Sequence, residues 1–152
     1  MEQPLTFIDA DTEDATLLSA TAILSKQNWG YSNDLMELWR PDLEITPDYI
    51  RKNKVLKVFH ADLFLGFFAL KFENDTAELD HLWLSPEQMR RNVGRSIFQF
   101  IKQYLKEIRI YKMILTAEPH ASGFYDKMGG KVIGTFESKI SGRMLDIYKF
   151  EF

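Results

Sequence analysis

The spacing of apolar positions changes period along the chain, and each change predicts an element. Leu17, Leu18, Ala22 and Ile23 recur at helical steps, so a helix is predicted over residues 12–26, after a short strand at 5–9. The Trp29-Gly30-Tyr31 turn ends that helix. Ser32 can cap a second helix that runs to Trp39 and is stopped by Pro41. Thr46 followed by Pro47 is an N-cap with a proline in the first turn, opening a short helix to Lys52. The pattern then becomes β-branched and aromatic over 55–60, 63–73 and 76–84, with turns at Ala61-Asp62 and Asn74-Asp75. Three consecutive antiparallel strands are predicted there. Beyond Ser85-Pro86 and a polar loop, Ile97, Phe98, Ile101, Tyr104, Leu105 and Ile108 share one face of a helix over 93–108. Residues 113–117 read as a short buried strand and 121–128 as a helix closed by Gly129-Gly130. The final strands are 132–137 and 144–152. Helices flanking a mixed, mostly antiparallel central sheet make an α+β fold, and no linker or repeat divides residues 1–152, so one domain is expected.

Composition narrows the function classes. The chain has 152 residues and no cysteine, which excludes disulfides, thiolate zinc sites and cysteine nucleophiles. No metal site is expected. Residues 1–3 begin no basic and apolar leader, so a cytoplasmic location is expected. The longest apolar run, 63–70, is far too short to span a bilayer, so no membrane partner is expected. Residues 1–50 hold ten acids and two bases, a net of −8, while residues 51–152 carry a net of +5. A nucleic-acid binder carries a denser basic stripe, so none is expected as a partner. The asymmetry is either solvated surface or an acidic side that attracts a cationic amine with a basic side that holds phosphates.

Three segments carry a resemblance. Glu78-Leu-Asp-His-Leu-Trp-Leu-Ser-Pro, followed by Arg90-Arg-Asn-Val-Gly-Arg-Ser-Ile-Phe, looks like a strand, loop and helix that bind acetyl-CoA under the signature Gln/Arg-x-x-Gly-x-Gly/Ala. Gly94 fits the final glycine, while Asn92 stands where the first is usual and Met89 where Arg or Gln is usual. Asparagine tolerates a left-handed backbone better than most residues. Ala117-Glu-Pro-His-Ala-Ser-Gly-Phe-Tyr-Asp-Lys-Met-Gly-Gly is similar to Asn-x-x-Ala-x-x-Phe-Tyr-x-x-x-Gly, with His120 at the asparagine position. These segments resemble the GNAT superfamily of N-acetyltransferases. The stretch Ser25-Lys-Gln-Asn-Trp-Gly-Tyr-Ser-Asn-Asp-Leu-Met, with Ile140-Ser-Gly-Arg-Met-Leu, looks like features of one bacterial-type subgroup.

The resemblance implies transfer of an acetyl group from acetyl-CoA to a primary amine of a small molecule or peptide, by direct attack in a ternary complex. Such a reaction needs an amine that has lost a proton, its ammonium having a pKa of about 10. It also needs donors for the oxyanion and a proton for the departing thiolate. Tyr125 is implied as the proton donor to sulfur. The base candidates are Glu78, Asp80 and His81, with alternation placing the two acids on one face of the strand and His81 on the other; an ordered water relay is the alternative. The backbone at Leu82, Trp83 and Leu84 is implied to pair with the pantetheine arm. The loop and helix start Met89, Arg90, Arg91, Asn92, Val93, Gly94, Arg95 and Ser96 would present amides and charge to the pyrophosphate. Phe124 and Lys127 belong to the same cofactor-binding segment, and His120 either contacts the cofactor or caps the helix after Pro119. Trp29 and Tyr31 would border the acceptor, and Arg143 is either a pocket residue or a hairpin feature. A homodimer stays open. A second reading, from another class, is a non-catalytic acyl-CoA-binding or regulatory module on the same fold.

Overall fold

The computed structural model describes residues 4–88, 92–138 and 143–152. Seven strands and five α-helices follow one another as β1 (Thr6–Asp9), α1 (Ala15–Gln27), α2 (Asn33–Leu43), α3 (Pro47–Lys52), β2 (Lys54–His60), β3 (Leu63–Glu73), β4 (Thr76–Leu84), α4 (Val93–Glu107), β5 (Lys112–Thr116), α5 (Ser122–Lys127), β6 (Lys131–Glu137) and β7 (Met144–Glu151). The strands form one mostly antiparallel sheet in the order β1-β2-β3-β4-β5-β7-β6. By contact density the chain divides into two units: residues up to Leu70 with His81–Ser96, and Lys71–Asp80 with Ile97–Phe152.

In the first unit, β1 pairs antiparallel with β2, and β2 with β3, with an irregularity between Val58 and Phe59. Six consecutive residues of β3, from Leu65 to Leu70, are buried, as expected of a strand covered on both faces. Helix α1 starts later than the periodicity implied. Asp11 forms a reciprocal capping box with Asp14 around a short 3-10 turn at Thr12–Asp14, and the α-helix opens at Ala15. Leu18 and Ala22 face the core, whereas Leu17 is exposed. An ion pair between Asp14 and Lys57, 3.0 Å apart and with both side chains 17% exposed, ties this helix start to β2.

Pro41 does not stop α2, which continues to Leu43. An interior proline costs a helix about 3 kcal/mol. Trp39 and Leu43 are both almost fully buried, and burying such side chains contributes about 1.5–3 kcal/mol each. Packing of the last turn therefore outweighs the lost hydrogen bond. Ser32 and Thr46 do cap α2 and α3, accepting from the amides of Leu35 and Tyr49.

In the second unit, β5 lies between β4, to which it is parallel, and β7, to which it is antiparallel. The parallel register covers Thr76↔Lys112 to Glu78↔Ile114 and ends there, although β4 continues to Leu84 and β5 to Thr116. Ile97, Phe98, Ile101 and Leu105 are the buried face of α4. Ile108 is not part of it: the helix ends at Glu107, Arg109 takes a left-handed φ of 62°, and Ile108 is exposed. The helix predicted over 121–128 is a 3-10 turn at Pro119–Ala121 leading into α5. The outermost strand, β6, is exposed at nearly every position, with Val132, Ile133 and Phe136 each more than half exposed or close to it, and its register shifts between Val132 and Gly134.

Gly66 marks the tightest backbone approach in the first unit. A Cβ there would collide with the carbonyl oxygen of Trp83 and stand 2.8 Å from the Cα of Leu84. The neighbouring backbone is held by a 2.7 Å bond from the Ser85 amide to the Leu65 carbonyl, so it cannot yield cheaply. Gly66→Ala is expected to destabilise the protein by about 3 kcal/mol, the upper part of the range for overpacking. Chemical denaturation checks this; a loss under about 1 kcal/mol would show that β4 can shift away.

Candidate functional site

The first unit holds the later half of β4 and the start of α4. His81 and Trp83 lie two apart and so on the same face of β4. The indole N–H of Trp83 donates to Nδ1 of His81 over 2.9 Å. An indole nitrogen only donates, so Nδ1 is the accepting nitrogen and the neutral ring carries its proton on Nε2. The edge of Tyr49 and the tilted ring of Phe67 pack near the same imidazole, with centroids 5.6 and 6.2 Å away. The basic nitrogen of His81 is thus already engaged inside an aromatic cluster.

At the helix start, Asn92 has a φ of 57°, the left-handed conformation its side chain tolerates. Its carbonyl accepts from the Ser96 amide, so Asn92 is the residue from which α4 departs. The amides of the next residues, Val93, Gly94 and Arg95, belong to the first helical turn, which lacks intrahelical acceptors. Val93 is buried, Gly94 half-buried, and Arg95 and Ser96 exposed. Met89, Arg90 and Arg91 lie outside the described residues. Leu82, Trp83 and Leu84 are half-buried. In the α1–α2 turn, Trp29 is exposed, but Tyr31 packs edge-on against Trp39 with centroids 4.7 Å apart. The Lys26 ammonium stands 4.1 Å from the Trp39 centroid and 5.7 Å from that of Tyr31. Tyr31, itself half-buried, therefore belongs to an aromatic and cation cluster.

The second unit holds the carboxylates and the phenol. Ala77 and Leu79 are buried and Glu78 and Asp80 half-buried, as alternation on β4 requires. Lys71 lies 3.6 Å from Asp80. Burial, and after it the charge of Asp80, raises the Glu78 carboxyl above its ordinary value of 4.5, with Lys71 opposing. Tyr125 is 8% exposed, and burial, followed by the charge of Glu118, pushes its phenol well above its ordinary value. Its ring sits 5.3 Å from Phe124 and 5.7 Å from Tyr148. Phe124 in turn packs edge-on against Phe98 of α4, and Lys127 is exposed. The Tyr148 hydroxyl donates to the Asp126 carboxylate over 2.7 Å and so fastens α5 to β7.

His120 does not cap a helix. Neither Glu118 nor Ala121, the residues flanking the 3-10 turn and α5, has a side-chain cap, and Nδ1 of His120 lies 2.9 Å from Oε1 of Glu118. The Arg143 guanidinium is 3.7 Å from the same oxygen. The Arg143 carbonyl also accepts from the Ser138 amide, so this residue both closes the β6–β7 hairpin and reaches Glu118. Glu118 was not among the candidates drawn from the sequence. The only signal there was an acid two residues before a histidine, across a proline, which is too common to stand out. Among the described residues, no cluster of three or more His, Asp or Glu could hold a metal, and no helix is long and apolar enough to cross a membrane.

Residues 42–139 match the family model of the acetyltransferase (GNAT) domain, and the chain belongs to that family. It is an acetyltransferase that takes its acetyl group from acetyl-CoA. Among solved structures it is similar to the PaiA N-acetyltransferase from Thermoplasma acidophilum in complex with coenzyme A, at 22% identity and TM-score 0.78, covering 99% of this chain and 100% of that one. A GCN5-related N-acetyltransferase structure from Rhodopseudomonas palustris superposes with TM-score 0.80 at 16% identity, covering 100% and 98%. The ribosomal-protein-S18-alanine N-acetyltransferase from Escherichia coli gives TM-score 0.69 at 13% identity, covering 97% and 93%. Likeness at these identities speaks to the fold. No curated protein matches the sequence.

The Glu78 environment has a thermodynamic signature. A carboxyl whose folded pKa lies above its unfolded value is unfavourable to the fold once ionised. Below about 4.5 both states hold the proton and the penalty is absent; it grows as pH rises from there through the folded value. Glu78→Gln removes it. The variant's thermal midpoint, relative to the parent, is expected to rise across that window and then level off towards neutrality. A difference that stays flat with pH would mean that Glu78 is no less solvated than in the unfolded chain.

Proposed function

We propose that the protein is an N-acetyltransferase whose acceptor is a primary amine, with Glu78 as the proton acceptor and Tyr125 as the proton donor. The reading is carried by one observation. Within one unit stand a carboxyl made more basic by burial and a phenol kept protonated by burial, the two complementary groups that aminolysis requires. Acetyl-CoA supplies the activated acetyl group. Asn92, Val93, Gly94, Arg95 and Ser96 are the residues that would receive its pyrophosphate, and the backbone of Leu82, Trp83 and Leu84 its pantetheine arm; the left-handed Asn92 and the first-turn amides of α4 fit an anion.

Glu78 takes one proton from the incoming ammonium and gives it to solvent; the second proton, shed by the nitrogen as its bond to the acetyl carbon forms, replaces the one that Tyr125 yields to the sulfur. Asp80, drawn towards Lys71, is the lesser candidate, and His81 would have to release the Trp83 indole before its Nδ1 could accept a proton. Tyr125 hydrogen-bonds the departing sulfur and yields its proton to it. Of the two aromatic residues of the α1–α2 turn, Trp29 is the one exposed enough to meet an acceptor. A non-catalytic module on this fold would have no use for this pair of opposed environments.

The test is release of free thiol from acetyl-CoA in the presence of a panel of primary amines. At least one amine should accelerate release, and if none does the reading fails. Tyr125→Phe keeps the ring and its packing and removes the proton. General acid catalysis is typically worth about 10²–10⁴-fold, and a phenol raised this far donates with less driving force, so kcat is expected to fall by about 10²-fold. Acetyl-CoA affinity and thermal midpoint should change little, since one hydrogen bond contributes about 1 kcal/mol. A parental kcat, measured where added viscogen has no effect on turnover, would remove Tyr125 from the mechanism.

A further inference from the structure

The carbonyl of Trp83 and the amide of Ser85 are both turned to β3. The first is the group that a Cβ on Gly66 would strike, and the second donates to the Leu65 carbonyl over 2.7 Å. Among the described residues no peptide bond is cis. Across a trans peptide the C=O of one residue and the N–H of the next point in opposite directions. The N–H of Leu84 is therefore directed opposite to the Trp83 carbonyl, and the C=O of Leu84 opposite to the Ser85 N–H. Both polar groups of Leu84 face the edge away from β3. Alternation along the strand turns those of Leu82 the same way. Of the three residues given to the pantetheine arm, Leu82 and Leu84 can meet it with their main chain, while the Trp83 carbonyl is directed at β3. All of these residues lie in the first unit.

What Trp83 adds is its side chain. The Cα atoms of residues two apart on a strand are separated by about 6.5–7 Å. The Trp83 indole reaches across that gap and donates to Nδ1 of His81 over 2.9 Å. The bond spans Leu82 and holds only while the chain between the two side chains keeps its extended pleat. The imidazole is itself set by the edge of Tyr49 from α3 and by the ring of the fully buried Phe67 from β3. Resting on the reading that the pantetheine arm lies along Leu82 and Leu84, we infer that the Trp83–His81 bond is a brace that holds those main-chain groups in place for the arm. Trp83 and His81 are positioning residues of coenzyme binding, and neither side chain needs to touch the arm. A main chain already set in its bound form loses less freedom when the arm arrives, so the brace is read in affinity. The role requires Nδ1 of His81 to stay occupied, which takes that nitrogen out of proton transfer.

Calorimetric titration with two probes tests this. One is coenzyme A; the other is 3′-phosphoadenosine 5′-diphosphate, which has the same nucleotide and pyrophosphate without the arm. Trp83→Phe removes the donor of the brace and His81→Leu removes the acceptor. Each is expected to weaken coenzyme A binding by about three- to tenfold, the size of one net hydrogen bond, and to leave the nucleotide within about twofold of the parent. The double variant should bind no more weakly than the weaker single one, because both substitutions delete the same bond. His81→Gln can still accept the indole hydrogen on its amide oxygen and should stay within about twofold of the parent for both probes. If Trp83→Phe fails to fold, His81→Leu against His81→Gln makes the same comparison from the acceptor side. Parental coenzyme A affinity in either deletion, losses that multiply in the double variant, or an equal loss for both probes would overturn the brace. So would a His81→Gln variant as weak as His81→Leu. If the parent itself binds coenzyme A no more tightly than the nucleotide, the reading of the arm along β4 falls first.

Discussion

The exclusion of water from one phenol sets the character of the second unit. Tyr125 is held on a helix of only six residues, far too short to be stable by itself. Its position comes from its surroundings: the rings of Phe124 and Tyr148, and the bond from the Tyr148 hydroxyl to Asp126, the next residue of the helix. That bond is also the largest cause raising the Tyr148 phenol, with burial second. Two tyrosines in contact thus serve different ends. One spends its hydroxyl on a carboxylate to fasten the helix, and the other keeps its proton because little else can solvate the anion.

The same logic separates the histidines and the acids. His81 and His120 are chemically identical and stand in two different segments, yet an indole donor fixes one and a carboxylate acceptor fixes the other. Glu78 and Asp80 share a strand face, yet Lys71 pairs with Asp80, while burial and the neighbouring Asp80 charge raise the Glu78 carboxyl. Function is distributed by partner and by burial rather than by residue type.

Much of the fold was legible because it rests on local rules. Period-two alternation placed Glu78 and Asp80 on one face of β4, and both are half-buried between the buried Ala77 and Leu79; capping residues fixed the starts of α2 and α3. The rules failed where packing overrode them. Pro41 stayed helical because Leu43 needed burial, and Ile108 lost its place on the apolar face because the chain had already turned at Arg109. The site was legible only in part. Tyr125 and Glu78 stand in motifs, whereas Glu118 takes its meaning from Arg143, which is twenty-five positions away and joined to it only by the fold. The contacts of Tyr31 with Lys26 and Trp39 were likewise not legible, because they join residues of α1 and α2 through the fold.

The exposed outer strand bears on behaviour in solution. A row of unpaired backbone groups flanked by Val132, Ile133 and Phe136 is a template on which another chain could add a strand. The register shift at Val132/Gly134 breaks that row in its middle, and Lys131 and Glu137 place a charge at each end. An approaching strand would have to match a kinked ladder and desolvate both charges. At this edge one irregular residue step and two terminal charges therefore stand against strand addition.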